Sequence, residues 1–86
     1  MADRKLLQAW VLEAVRTCGG SASLLDVAKH IWAKHETELR ASGPLFYTWQ
    51  YDMRWAADAL RRAGLFKPSA LSAPGMWEID DAHKAT

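Results

Sequence analysis

Eighty-six residues, half of them apolar, bound a single domain over 1–86 with one hydrophobic core, and exclude both a disordered chain and two separate cores. Lys and Arg number 11 against 10 Asp and Glu, a net charge of +1, so bulk charge alone selects no polyanionic partner. No apolar run approaches the roughly 20 residues of a membrane span, no signal peptide is read at the N-terminus, and a single cysteine, Cys18, forbids an internal disulfide; a cytoplasmic, reducing setting is expected.

The first helix is expected from Asp3, an N-cap residue type, to about Thr17. Leu7, Val11, Ala14 and Cys18 recur at helical spacing beside Leu6, Trp10 and Val15, and Gly19-Gly20 supplies the left-handed conformation that ends a helix. Ser21-Ala22 is short enough to be a linker or a minor strand. Ser23 stands three residues before Asp26, a capping-box pattern, and opens a second helix whose stripe is Leu24, Ala28, Ile31, Trp32, His35 and Leu39. Ala41-Ser42-Gly43-Pro44 breaks it.

A third helix is expected from an N-cap at Thr48, burying Trp49, Met53, Ala56 and Leu60. Tyr47, Gln50, Tyr51, Arg54, Asp58 and Arg61 fall on the opposite side at about 100° per residue. Gly64 closes this helix, with Arg61 and Arg62 at the negative end of its dipole. Leu65–Pro68 and Met76–Ile79 read as short strands around a Pro/Ser/Gly turn. The core is expected to span about 3–80, with 81–86 a disordered tail. Three helices followed by a β-hairpin, with a short strand after the first helix, make an α+β chain with the element order of a winged helix-turn-helix.

Trp55-Ala56, Leu60, Ala63-Gly64-Leu65, Gly75, Trp77 and Ile79, in that order and spacing, resemble the N-terminal winged-helix domain of Mrr-type restriction endonucleases, over about residues 5–80. Gly19-Gly20 also stands where that family tends to have a glycine. The chain departs from the family at Tyr51-Asp52, where an Asn-Arg pair is frequent. It departs again at Pro74 and Glu78, which take the place of basic residues in the wing. The resemblance implies a DNA-binding module without nuclease chemistry of its own.

On that reading the third helix enters the major groove. Gln50 and Arg54 reach base edges, Arg61, Arg62 and Lys67 hold phosphates, and Ser69 and Ser72 of the wing assist. The bland alternative is a solvated face on which Asp58 pairs with Arg61 or Arg62. So few phosphate contacts give weak, salt-sensitive binding, which a homodimer would double.

Phe46, Tyr47 and Tyr51 form a second candidate site, an aromatic face suited to protein interaction or self-association. Phe46 has the competing expectation of burial against the first two helices, and Trp55 that of packing beneath the wing near Trp77. No enzyme is expected. His30, His35 and Glu36 lack metal-ligand spacing, Cys18 sits at a helix C-terminus where the dipole disfavours a thiolate, and there is neither a phosphate loop nor a nucleophile signature. No cofactor, metal or small-molecule substrate is expected. The partners expected are double-stranded DNA and a second copy of the chain, with no membrane.

Overall fold

Leu7, Trp10, Val11, Ala14 and Val15 line one side of the first helix, α1 (Leu6–Thr17), and are buried together. The computed structural model describes residues 5–68 and 75–80 of the chain. Asp3, expected to cap α1, lies outside them; Lys5 occupies the N-cap position without a side-chain cap. At the other end the Gly20 N–H donates to the Val15 carbonyl (2.9 Å) and the Gly19 N–H to Arg16 (3.0 Å), a Schellman closure that needs the positive φ of Gly19, 90°.

The next residues extend as β1 (Ser21–Ser23) and pass without a linker into α2 (Leu24–Arg40). The Ser23 Oγ accepts the Asp26 N–H at 3.1 Å, so the expected cap is made. The stripe of α2 is shifted: Val27, Ile31 and Leu39 are fully buried, whereas Leu24, Ala28, Trp32 and His35 are half-buried. Helical geometry is interrupted at His35 (φ −127°, ψ 19°).

Helix α3 (Leu45–Arg62) begins three residues before the expected N-cap at Thr48. Pro44 occupies the N-cap position with φ −57°, already helical, and Leu45 is buried, so proline geometry and core packing set the start. The Thr48 hydroxyl instead donates to the Asp52 carboxylate at 2.9 Å, within the helix. The expected stripe of Trp49, Met53, Ala56 and Leu60 is buried, joined by Ala57, and Trp55 is half-buried against the core. Gly64 (φ 82°) closes α3 as Gly19 closes α1, with Leu65 N–H to Leu60 O at 3.0 Å.

β2 (Met76–Glu78) pairs antiparallel with β1, with Ala22 opposite Trp77. On its other side the chain after α3 makes one antiparallel bridge, Phe66 to Ile79, flanked by Lys67 N–H to Glu78 O and Asp80 N–H to Leu65 O, both 2.9 Å. The expected strand over Leu65–Pro68 therefore reduces to this bridge. The N–H groups of Leu65 and Phe66 turn back to the Leu60 carbonyl, and Pro68 has no N–H to give. Ser69–Pro74 of the expected wing turn and the expected tail over 81–86 lie outside the described residues.

The described residues thus form three helices and a small antiparallel sheet, an α+β arrangement compatible with a winged helix. Phe66, Trp77 and Ile79 from the sheet side close the core that the helices build.

Candidate nucleic-acid interface

Helix α3 packs mainly against α1 and next against α2, which leaves Tyr47, Gln50, Tyr51, Arg54 and Asp58 exposed. Gln50 and Arg54 are one turn apart on the same face, so an amide and a guanidinium project side by side from the middle of the helix. Arg62 is exposed in the last turn. Lys67 is half-buried next to the Phe66–Ile79 bridge. Ser69 and Ser72 lie outside the described residues.

Arg61 departs from the expected outer face. Its side chain is only 23 % exposed, Nη1 lies 3.7 Å from the Asp58 carboxylate, and Nε is buried without a hydrogen bond. The cause is angular. Arg61 stands at the edge of the buried stripe, one position beyond Leu60 and one turn beyond the buried Ala57.

The aromatic cluster divides. Phe46 is half-buried and faces Trp32 of α2, ring centroids 6.4 Å apart, with Tyr47 edge-on at 5.1 Å. Trp32 also stacks on Trp49 at 6.0 Å, and the Arg40 guanidinium lies over both Trp32 (5.3 Å) and Phe46 (5.7 Å). Tyr47 and Tyr51 remain 84 % and 77 % exposed.

Beside these rings the surface between α2 and α3 sinks into two adjoining depressions of about 470 and 490 Å³, which share Leu25, Ala28 and Gln50. Leu25 has no place among the residues that the sequence singles out. Its only signal is that it falls off the α2 stripe, and it is 62 % exposed.

A separate polar cluster joins α1 to α2. His30 Nε2 and His35 Nε2 lie 3.3 and 3.4 Å from the same oxygen of Glu13, and His35 Nδ1 lies 3.1 Å from Glu38. Partial burial pushes the Glu13 carboxyl upward, but hydrogen bonds and attraction from the two histidines outweigh it and hold the group below its ordinary value of 4.5. Among the described residues no group of three or more His, Cys, Asp or Glu is placed to hold a metal ion. No helix among them is long and apolar enough to cross a membrane.

Comparison with protein-family models, with curated proteins and with solved structures returns no match, so the functional reading rests on geometry and chemistry.

Proposed function

We propose that this chain is a winged helix-turn-helix that binds double-stranded DNA without catalysing a reaction on it. Helix α3 takes the major groove and the β-hairpin lies along the backbone beside it. The observation that carries the reading is the paired exposure of Gln50 and Arg54, one turn apart in the middle of α3. These are the side-chain types that make bidentate contacts with adenine and guanine edges. The antiparallel bridge of Phe66 and Ile79, directly after α3, supports the hairpin's place next to that helix. Arg62 and Lys67 serve the phosphates, with Ser69 and Ser72 of the wing in support. Arg61, partly buried against Asp58, contributes less than its charge suggests.

The test is a titration with random-sequence duplex over a salt series. Affinity should fall steeply between about 50 and about 200 mM salt, and Arg62→Ala should lower the logarithmic slope by about one. Binding that is absent at low salt, or indifferent to both Arg54→Ala and Arg62→Ala, rejects the reading.

A second reading is favoured by the exposure of Tyr47 and Tyr51, one turn apart on α3. Large aromatic side chains left in solvent suit a protein interface, and self-association through them would place two copies of α3 and the wing on one duplex. Sedimentation across a concentration series, with and without Tyr47→Ala plus Tyr51→Ala, tests it; a monomer at every concentration rejects it.

A further inference from the structure

The groove between α2 and α3 has a character that the DNA reading does not use. Its floor is apolar: Ala28, Trp32, Phe46 and Trp49 line it, and Leu25 stands exposed on its rim. Its two depressions are continuous through Leu25, Ala28 and Gln50, which makes an elongated trough along paired helices rather than a closed pocket. Among the described residues, the charged side chains that line it are Lys29 from α2 and Arg54 from α3, one on each wall, and no carboxylate lines either depression. At the Trp32–Phe46 end the guanidinium of Arg40 covers both rings, its charge already met by Glu36 at 2.8 Å.

An apolar trough between two helices is the receptor shape for an amphipathic helix laid into a groove, read through anchors at i, i+3, i+4 and i+7. The wall charges select the partner's sign. A second copy docking the same surface onto itself would set the charges that line the groove, Lys29 and Arg54, against cations, an arrangement that costs affinity unless an acid from the rim intervenes. A nucleic acid would satisfy the cations but leave the exposed leucine and the tryptophan floor without apolar partners. An acidic amphipathic helix satisfies both.

We propose that the α2–α3 groove docks an acidic amphipathic helix of another protein, its apolar anchors on Leu25, Trp32 and Phe46 and its carboxylates between Lys29 and Arg54. Because Gln50 and Arg54 belong to this groove as well, a docked helix covers the residues assigned to base contact. Occupancy and duplex binding then exclude each other. The docking itself does not depend on the DNA reading.

The experiment is a display selection against the intact chain. The library consists of helices of about 15 residues with fixed apolar anchors at i, i+3, i+4 and i+7 and flanking positions randomised between Glu and Lys. The expected result is enrichment of Glu-rich helices whose affinity drops about tenfold or more on Leu25→Ala and on Lys29→Glu, as loss of a central anchor or reversal of a wall charge should produce. Leu25 and Lys29 are both exposed, so these variants leave the core untouched, and a thermal melt confirms it. Enrichment of Lys-rich or charge-indifferent helices overturns the proposal, as does no enrichment over a Leu25→Glu control. If nothing is enriched but the chain forms a dimer that Leu25→Ala dissociates, the proposal is overturned in favour of a second copy as occupant. If instead duplex affinity is what Leu25→Ala destroys, it is overturned in favour of nucleic acid. Duplex affinity sensitive to Arg62→Ala, which lies outside the groove, reads the DNA hypothesis separately.

Discussion

The His35 ring lies flat on Trp10, with centroids 4.0 Å apart and planes within 8° of parallel, so the break in α2 geometry coincides with its stacked ring contact to α1. The same ring faces Glu13 through Nε2 and Glu38 through Nδ1, which ties the apolar joint between the helices to a surface carboxylate cluster. His35→Ala removes the stack and both polar contacts. It should lower unfolding stability by about 1–2 kcal/mol, since an aromatic pair contributes about 0.5–1.5 kcal/mol beyond its buried area. His35→Phe keeps the stack and should recover most of the loss, as read by urea denaturation of the two variants.

The Glu13 cluster gives the fold an acid-sensitive component. The folded carboxyl is held below 4.5, so its contribution is present above the unfolded-state value and is lost as pH falls through the folded-state value. Glu13 is 48 % exposed and solvent screens its pairs, which limits the effect to less than about 1 kcal/mol. Wild type should therefore exceed Glu13→Gln in stability while the carboxylate is ionised. The two proteins should converge at more acidic pH, where wild type has lost the anion that the variant lacks throughout. Parallel denaturation series across the acid range check this, and a difference that grows as the carboxylate protonates contradicts it.

Ser23 carries the turn from β1 into α2, its hydroxyl taking the Asp26 N–H that the helix leaves unsatisfied. Ser23→Ala should cost about 1 kcal/mol, and Ser23→Asp should restore it, because an acid at a helix N-terminus also meets the positive end of the dipole. Chemical denaturation midpoints with an unchanged slope are the measurement.

Local signals make this cap legible in the sequence, and the same holds for the glycine ends of α1 and α3 and for the stripe from Trp49 to Leu60. Each depends on neighbouring residues and on helical periodicity. The start of α3 is not legible in this way: Thr48 has the residue type of an N-cap, whereas the φ of Pro44 and the burial of Leu45 decide the boundary. Arg61 falls outside a stripe drawn through Trp49, Met53, Ala56 and Leu60, but the burial of Ala57 widens that stripe and leaves Arg61 at its edge. The Trp10–His35 stack leaves no trace in the sequence, and the Leu25 groove leaves only a leucine off the α2 stripe. Both arise where two helices approach, and no spacing within either helix encodes the crossing. The residues that mark the chain's architecture, such as Trp77 and the Gly64 turn, carry its packing; the candidate interface rests on residues with no strict structural requirement.

Arg61 offers a test in which stability and binding separate. Its Nε is buried without a hydrogen bond and its nearest anion, on Asp58, is 3.7 Å away and largely solvated. A desolvated, unsatisfied donor destabilises a fold, while the aliphatic stem packs favourably. Arg61→Met keeps the stem and removes the donor, so it should be neutral or stabilising by up to about 1 kcal/mol. Arg54, by contrast, is exposed on the α3 face, and Arg54→Ala should leave the melting temperature within about a degree or two, as surface substitutions do. Duplex affinity should respond in the reverse order, falling more for Arg54→Ala than for Arg61→Met. Thermal melts and low-salt duplex titrations on the same two variants provide both readings. Equal losses of affinity would mean that Arg61 swings out to the phosphates, and a Tm raised by Arg54→Ala would mean that the exposed face is itself under strain.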